Sequence, residues 1–578
     1  MKINNRTTFL KIICTLLVVI SGSCKQSFLS PPNTKNSDPI ATFQKSSDVV
    51  ALVNGIYDGY QNSDLLKKAI WYYANFQTHD WYNNGADIQW NAYTINSNFA
   101  ALYTFWTNAY LVIGRCNQAF GIIATAKANG VVTAALADRL TGEAYFLRGM
   151  SYYYLAGTFG GVPLELNPIS AGLAPRNTQD QVFTQVVADM KQAETLLLSK
   201  TTLPASDLGR ATKGAAYGYE GAAQMWLKNY TAALTAFNNP ELTNNYHLLP
   251  NFIDVGEYNK QNNDESLFEI QFQIQGSQSW DGGWQNGGEV AWIDDFSWPQ
   301  ELSGFGYDYA NPGLWYSYQT GDTRRAATII GPGDQVVSPG IIAKFGGIKG
   351  YPVVMAGYAA KNRVYTADDG TIINTCGTLT RPWFGDDLTR SGYYCAKKWR
   401  DPNLSGANAY TNGNSNIFGD QNQVLLRYAE VLLDRAECKV RTGDVAGAMA
   451  DLKIVRDRAF GGTAPAVMQD GLTYDGKPSR PITDPLQMVL SEYRHELTAE
   501  YSLFYNLRRA GAGVAADFIK ANYNTDASLV PKPYPYGPTA DGKLHGVWFT
   551  SLPAGHDILP IPQPAIGLNP NLTQNPGY

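Results

Sequence analysis

The sequence predicts a mainly α-helical protein. Tetratricopeptide-like helix pairs form a scaffold, and a large irregular, loop-rich region with short strands is attached to it. Before about residue 244 and after about residue 421, apolar side chains recur at helical spacing. Between these stretches the helical period is largely lost, and Gly, Pro, Asn, Asp and aromatic residues dominate. At 578 residues the chain is also too long for one hydrophobic core.

The first 23 residues predict a signal peptide. Three basic residues precede the mostly apolar run "IICTLLVVI", and "SGSC" follows it. A run of nine residues is too short to span a bilayer. Because "SGSC" resembles a bacterial lipobox, we expect residues 1–23 to be removed and Cys24 to carry the lipid. The alternative is an ordinary signal peptide with an incidental cysteine. Residues 24–40 are polar and proline-bearing, which predicts a tether.

Composition limits the class of partner. The chain has 45 basic and 50 acidic residues, and removal of three basic residues with the signal gives 42 − 50 = −8. An acidic mature chain argues against nucleic acid. Charged residues make up only 16%, well under the usual quarter, and aromatic residues make up 12%. This balance favours uncharged polar partners such as sugars and peptides.

Residues 41–244 predict the N-terminal helical-repeat region. It opens with "SSDVVALVNGIYDGYQ", whose apolar residues have helical spacing after a Ser/Asp start. Further helices are predicted at about 98–127, 135–157, 179–198, 210–227 and 230–239. In the last two, small residues that include Gly218 and Gly221 permit close helix packing, as in tetratricopeptide repeats.

Residues 245–420 predict a loop-rich, ligand-facing region in which short strands such as "SLFEIQFQI" alternate with long loops. Residues 421–578 predict a C-terminal region with a second helix pair and a loop-rich end. The pair is predicted over 423–460, with "RTGD" at its turn.

Four cysteines remain after Cys24. Cys116 and Cys438 lie in amphipathic helical patterns and are expected to be buried. Cys376 and Cys395 lie in a turn-rich part of an exported chain, where a disulfide and two free thiols both stay open. No CxxC spacing suggests zinc.

Catalytic and cofactor motifs are absent from the sequence. The five histidines form no HExxH, and there is no GxSxG elbow, P-loop or EF-hand loop. "GAGVAA" matches the GxGxxA pattern of dinucleotide-binding loops, but such a loop follows a strand, and here a helix is predicted before it. Adjacent carboxylates such as Asp294–Asp295 point to opposite faces of an extended chain, so one pair cannot flank a glycosidic bond. Carboxylates from two different loops could flank such a bond, so a surface glycoside hydrolase stays a less favoured alternative. We expect no cofactor and no metal.

Two aromatic stretches form the candidate ligand site. "HDWYNNGADIQWNAY" spans His79–Tyr93, and "SWDGGWQNGGEVAWIDDFSWP" spans Ser279–Pro299. Aromatic faces with a few polar groups are the usual composition of a ligand site. The candidate residues are Trp81, Tyr82, Asn83, Trp90, Trp280, Trp284 and Trp292. The alternative is that each tryptophan packs its own loop, as expected for Trp106, Trp298 and Trp315.

The motifs in order resemble one family along nearly the whole chain. They include "ALVNGIYDGY", "VIGRCNQAFGII", "GEAYFLRGMSYYYLAGTFGGVPL", "GRATKGAA", "LLRYAEVLLDRAE", "YRHELTAEYSLFYNLRRAG" and "LPIPQPAIGLNPNLTQNPGY". The chain resembles the RagB/SusD outer-membrane lipoproteins of Bacteroidetes. Within these motifs a buried Arg148 needs carboxylate or carbonyl partners, with Glu143, Glu430 and Glu437 as candidates. Later arginines, Arg427, Arg494, Arg508 and Arg509, are expected to tie scaffold elements together.

This resemblance implies the function. It implies a lipid-anchored outer-membrane protein that captures an oligosaccharide at the cell surface and delivers it to a SusC-like TonB-dependent barrel. Some members imply peptide or another nutrient as cargo instead. It implies no enzymatic activity and a soluble form that is monomeric. In starch-binding relatives, an early aromatic loop and a mid-chain loop build the site, which matches the two stretches above.

Overall fold

The structure is a computed structural model of the chain. It describes residues 43–61, 63–83, 87–272, 297, 308–330, 364–366, 372–374, 394–395, 421–469, 481–523 and 551–578. The candidate residues Cys24, Trp280, Trp284 and Trp292, and also Cys376, lie outside these ranges.

The described chain is mainly helical. Its α-helices are α1 Ser46–Asp58, α2 Trp71–Phe76, α3 Ile88–Asn91, α4 Ala100–Ala128, α5 Ala134–Phe159, α6 Gln179–Leu196, α7 Lys213–Trp226, α8 Tyr230–Phe237, α9 Pro240–Asn245, α10 Pro312–Ser317, α11 Arg324–Thr328, α12 Tyr428–Thr442, α13 Val445–Ala459, α14 Pro485–Leu497, α15 Leu503–Arg509, α16 Val514–Asn522 and α17 Gln563–Leu568. Its strands are β1 Trp81–Asn83, β2 Ser266–Ile270, β3 Asp308–Ala310, β4 Ile329–Ile330, β5 Val364–Thr366, β6 Ile372–Asn374, β7 Tyr394–Cys395 and β8 Gln423–Arg427. They pair only as antiparallel two-stranded sheets, β1–β3, β2–β8, β4–β7 and β5–β6. The predicted mainly α fold is confirmed.

The long helices pack in series. Helix α4 contacts α5, α5 contacts α6, α6 contacts α7, and α7 contacts α8. Helix α8 then contacts α12, the first helix of the C-terminal pair, which packs on α13 and α14. The C-terminal helix pair therefore packs directly onto the N-terminal helices, although the loop-rich region, residues 245–420, separates them in sequence.

Glycines on α7 allow this close approach. A Cβ at Gly221 would lie 2.3 Å from a ring carbon of Phe237 on α8, and one at Gly218 would lie 2.6 Å from a methyl carbon of Leu426. Any larger side chain at these positions would displace its neighbour. The predicted role in helix packing is confirmed for Gly221, whereas Gly218 approaches Leu426 of strand β8.

The start of the second predicted pair is a strand. Residues Gln423–Arg427 form β8, which pairs with β2, and the helix begins only at Tyr428. The run "QVLLR" is buried on both faces, with three apolar residues between Gln423 and Arg427. A short buried strand and a buried helical turn have the same apolar pattern, so periodicity alone could not separate them. The strand predicted in "SLFEIQFQI" is confirmed as β2.

The prediction of Glu143, Glu430 or Glu437 as the partner of Arg148 is wrong. Arg148 donates to both carboxylate oxygens of Asp189 on α6, at 2.9 and 2.6 Å, and to Asn117 at 2.8 Å. Glu143 instead pairs with Arg210, at 2.8 Å. The correct partner comes from α6 because α5 packs most of its apolar face on that helix.

A buried ionic network ties the loop-rich region to the C-terminal helices. Arg427 donates to Glu265 of the β2 edge at 2.7 Å, to Glu496 of α14 at 2.6 Å, and to Glu500 at 2.8 and 2.9 Å. Arg324 of α11 pairs with Glu492 and Glu496 of the same helix α14. The members of this network are Glu265, Asp322, Arg324, Arg427, Arg456, Arg458, Glu492, Glu496 and Glu500. The prediction that Arg427 ties scaffold elements together is confirmed.

Three of the cysteines lie within the described residues, and all three are buried. Cys116 and Cys438 are buried free thiols, as expected. Cys395 is buried in β7, and its proposed disulfide partner Cys376 lies outside the described residues. Among the helices that the structure describes, none is long and apolar enough to cross a membrane.

Candidate ligand site

The early aromatic segment, defined as the described residues of 77–93, is joined to the chain that follows the tryptophan-rich stretch. Strand β1 pairs antiparallel with β3, with Trp81 opposite Ala310 and Asn83 opposite Asp308. Strand β3 begins shortly after Pro299 in sequence. The structure therefore brings the first predicted aromatic stretch against the segment that leaves the second.

Trp81 is fully buried. Its indole Nε1 donates to Thr498 Oγ1 at 2.8 Å, and its ring meets Trp71 edge-on with centroids 6.0 Å apart. Trp71 in turn donates to the carbonyl of Ala499 at 3.1 Å. Trp81 thus connects β1 to the turn after α14, and its ring is not open to a ligand in this structure.

The other candidates of this segment are also enclosed. Trp90 is fully buried and packs edge-on against Tyr72 and Phe99, with centroid distances of 6.0 and 5.9 Å. Tyr82 and Asn83 are 2% and 3% exposed. Polar neighbours in sequence therefore do not leave these side chains exposed, because other elements pack over them. Ligand contact by these four residues stays a prediction, and it requires their covering neighbours to move.

Several polar atoms of the early aromatic segment are enclosed without a hydrogen-bond partner. They are Gln77 Oε1, Gln89 Oε1, Trp90 Nε1 and Asn91 Nδ2. Leaving a buried polar group unpaired costs about 1–3 kcal/mol, so most native proteins avoid it. The segment also holds His79 and Tyr93 at positive φ, 62° and 54°, which is unfavourable for non-glycine residues. Unpaired polar groups and local backbone strain of this kind concentrate at functional sites.

Asp308 is the principal buried ionisable group at this site. Its carboxylate accepts from Tyr72 Oη at 3.0 Å and from Asn83 Nδ2 at 2.7 Å. Burial, together with a smaller effect of the Asp87 carboxylate, raises the pKa of Asp308 to about 7, although the hydrogen bonds from Asn83 and Tyr72 and the charge of Lys68 lower it. Lys68 is paired with Asp87 at 2.8 Å. Asp308 therefore changes charge near neutral pH at the contact between β1 and β3.

We expect Asp308 to make the protein less stable as pH rises from about 4 to about 7. Because its folded pKa is raised, the folded state binds more protons than the unfolded state in this window, so ionisation favours unfolding. Each pKa unit corresponds to about 1.4 kcal/mol, so the effect should reach a few kcal/mol. Urea unfolding at pH 5 and pH 8 measures it. Asp308→Asn should flatten the fall in unfolding free energy, and a variant with the wild-type pH profile would contradict this assignment. Asp264→Asn, which removes an exposed carboxyl, is the control.

Metal binding has no support in the described part of the chain. No group of three or more His, Cys, Asp or Glu side chains there could hold an ion. The described residues suited to a ligand are aromatic rings and uncharged hydrogen-bonding groups.

Sequence reasoning missed Thr498 and Asp308. Their partners Trp81 and Asn83 lie hundreds of residues away, so no spacing rule connects them. The "YDYA" run around β3 has the alternating, aromatic character of a strand, and that was the available signal for Asp308.

Two family models and a relative of known name match this chain along most of its length. A family model described as the SusD family matches residues 253–578, and a second, described as "Starch-binding associating with outer membrane", matches residues 28–227. The chain is 23% identical over 571 residues to SusD-like protein P2 of Formosa agariphila, which covers 93% of this chain and 94% of the relative.

Solved structures share the fold. A SusD homologue from Bacteroides thetaiotaomicron superposes with a TM-score of 0.70 at 18% identity, covering 94% of this chain and 99% of that one. A laminarin-binding SusD-like protein superposes with a TM-score of 0.65 at 20% identity, covering 93% and 100%.

Proposed function

Because the SusD family model matches more than half of the chain, the protein belongs to the SusD family, and we propose that it captures oligosaccharides at the cell surface. It would then deliver them to a SusC-like TonB-dependent barrel in the outer membrane. The observation that carries the proposal is the family match, together with the descriptions of related proteins as starch-binding and laminarin-binding.

The chemistry of the chain supports a neutral sugar as ligand. Sugar rings present flat C–H faces that stack on aromatic rings, and hydroxyl groups that bond to amides and indole N–H groups. The early aromatic segment supplies both kinds of group, and its β1–β3 pairing holds it beside the chain that leaves the tryptophan-rich stretch. In this proposal Trp280, Trp284 and Trp292, which lie outside the described residues, contribute aromatic rings to the ligand, and the buried Trp81 and Trp90 anchor the early aromatic segment.

The test must distinguish glycan binding from glycan hydrolysis and from peptide binding, because a surface hydrolase and a peptide carrier are the alternatives. The test is affinity electrophoresis of the mature chain through gels containing starch, laminarin or cellulose derivatives, followed by chromatography of each glycan after incubation. We expect retardation by at least one glycan with no change in its length. Shortened products would identify a hydrolase. Peptide binding without any retardation by glycans would favour the peptide carrier.

We expect the anchor to depend on Cys24. The "SGSC" site after a short apolar run motivates lipid attachment there. Cys24→Ala should shift the protein from the membrane fraction to the soluble fraction or leave it unprocessed, because the acylated thiol is lost. Metabolic labelling with a fatty-acid analogue measures this directly. A mutant labelled as strongly as wild type would exclude Cys24 as the lipid site.

The barrel partner is the last part of the proposal. Proteins of this family that act as lids close over the barrel, and this chain keeps nearly all of their scaffold motifs. We expect a large TonB-dependent barrel to co-purify with the protein from gently solubilised outer membranes, while the form without lipid is monomeric. Recovery as a lone monomer with the barrel present in the same extract would contradict the partnership.

A further inference from the structure

A cleft beside helix α4, here called the α4 cleft, has the features of a second ligand site. It has a volume of about 400 Å³, within the range of small-molecule pockets. One wall is α4, a second is the segment that follows α5, and the third is the C-terminal helix α17 with the residues after it. Asn569 Nδ2 donates to the carbonyl of Ala174 at 2.8 Å, which helps to hold the C-terminal wall against the second.

Three aromatic residues on one face of α4 form the floor of the cleft. They are Tyr103, Trp106 and Tyr110, spaced three and four residues apart so that they lie on successive turns. Trp106 is held between Tyr110 and Phe159, with centroid distances of 5.1 and 5.4 Å. Tyr110 Oη donates to the carbonyl of Pro163 at 2.8 Å, which fixes its ring. The floor is therefore rigid before any ligand arrives.

Trp106 keeps a hydrogen-bond donor available to the cleft. Its side chain is only 7% exposed, yet no hydrogen bond joins its Nε1–H to any residue that the structure describes. The nitrogen is also absent from the enclosed unpaired atoms, which include Trp90 Nε1. A buried indole N–H normally has a partner, as Trp71 and Trp81 do. The donor of Trp106 is thus accessible, and no described residue uses it.

The charge of the lining narrows the class of ligand. Glu165 is its one ionisable group apart from the tyrosine hydroxyls, and no Lys, Arg or His lines the cleft. A phosphate or another anion would find no counter-charge there. The exposed side chains of Asn167 and Ser170 add uncharged hydrogen-bonding groups at the rim. Stacking faces, an unused N–H donor and a neutral rim fit a neutral sugar.

The α4 cleft lies close to the early aromatic segment along the chain. Phe99, which packs against Trp90, immediately precedes α4, and Tyr103 follows it by about one helical turn. A long glycan could contact both places at once, and two linked contacts bind more tightly than either alone.

We propose that the α4 cleft is a second carbohydrate-contact site that takes one or two rings of a neutral oligosaccharide. The proposal rests on the glycan-binding function proposed above. Leu568 of the lining is 72% exposed, and Ile169, between the lining residues Pro168 and Ser170 in sequence, is 91% exposed, so the competing occupant is an apolar surface of a partner protein. The unused indole donor favours the sugar, because an aliphatic side chain offers no acceptor.

Gly114 provides a substitution that fills the cleft with little disturbance of its walls. It lies in the cleft on α4, and a Cβ there would meet nothing within 4 Å. Gly121 lies on the same helix outside the cleft lining, and a Cβ there is equally unopposed. Both substitutions to leucine also improve helix propensity, so neither should unfold the protein. Gly121→Leu is therefore the matched control for Gly114→Leu.

The experiment uses the mature chain labelled with 5-fluorotryptophan. The probes are maltoheptaose, laminarihexaose and cellohexaose at millimolar concentration, and Trp106→Phe assigns the Trp106 fluorine signal. We expect a probe that binds to shift this signal, and Gly114→Leu to weaken its binding roughly 5-fold or more while Gly121→Leu binds like wild type.

Three other results would overturn the proposal, and each would point to a different conclusion. If a probe binds but the Trp106 signal stays unmoved and both leucine variants bind like wild type, the cleft is not a sugar site, and glycan capture stands. If Gly114→Leu binds the probes normally but loses the co-purifying barrel, the cleft is a protein interface. If none of the three probes binds wild type, this inference fails together with the proposed function.

Discussion

Arg427→Met is expected to lower the free energy of unfolding by about 3–5 kcal/mol, the cost typical of removing one partner from a buried ion pair. The guanidinium is 1% exposed and serves three carboxylates, those of Glu265, Glu496 and Glu500. Methionine fills similar space but donates no hydrogen bond, so these carboxylates would remain buried with fewer cations. Glu500 would lose its bidentate partner, while Arg458 would still serve Glu265, and Arg458 and Arg324 would still serve Glu496. Urea unfolding followed by tryptophan fluorescence measures the loss.

A surface ion pair gives the control for this prediction. Lys127 and Asp138 are 2.7 Å apart, with side chains 44% and 48% exposed. Exposed pairs contribute about 0–1 kcal/mol, so Lys127→Met should change stability little. Equal losses for the two variants would mean that the buried network does not hold the loop-rich region to the helices.

Trp81→Ala is expected to cost about 3–5 kcal/mol of stability, the usual range for removing a buried tryptophan ring. The ring is fully buried, contacts Trp71, and donates to Thr498. Its removal would leave a cavity between β1 and the turn after α14. Trp81→Phe keeps most of the ring but loses the hydrogen bond, so it should cost about 1–2 kcal/mol. Thermal and urea unfolding of both variants test the order.

This prediction decides between two roles for Trp81. A structural ring lowers stability when it is removed, and an exposed ligand platform lowers glycan affinity with little change in stability. If Trp81→Ala retained the wild-type unfolding free energy and lost glycan binding, the buried packing seen here would not describe the working state of the site.

The helices could be predicted closely because their signals are local. The apolar period, the capping residues and the turn at "RTGD" all lie within the element they define, and the observed ends of α4, α5 and α6 differ from the expected ones by a few residues. The strand β8 could not be predicted, because its partner β2 is about 150 residues away and its short buried run "QVLLR" fits a helix equally well. The loop-rich region also contains the short helices α10 and α11, which its composition did not indicate.

The candidate site was predicted less well, and the reason is burial by distant residues. The neighbours of Trp81 in sequence are polar, so its surroundings suggested exposure, but Thr498 and Trp71 cover it. Trp106 shows the reverse error. Its apolar helix suggested simple packing, and the structure places it at the floor of an open cleft. Sequence composition reports the local neighbours of a ring, whereas its exposure depends on which other elements pack over it.

We propose that the protein binds a neutral glycan through aromatic rings of the tryptophan-rich stretch. Calorimetric titration of the mature chain with maltoheptaose, laminarihexaose and cellohexaose, beside a Trp280→Ala/Trp284→Ala double variant, tests it most directly. The account predicts that wild type binds at least one of the three without hydrolysing it. The double variant should keep its melting temperature and lose about 1–3 kcal/mol of binding free energy for each ring, by analogy with base–aromatic stacking. Absence of heat with every glycan, or equal affinity of wild type and double variant, would contradict it.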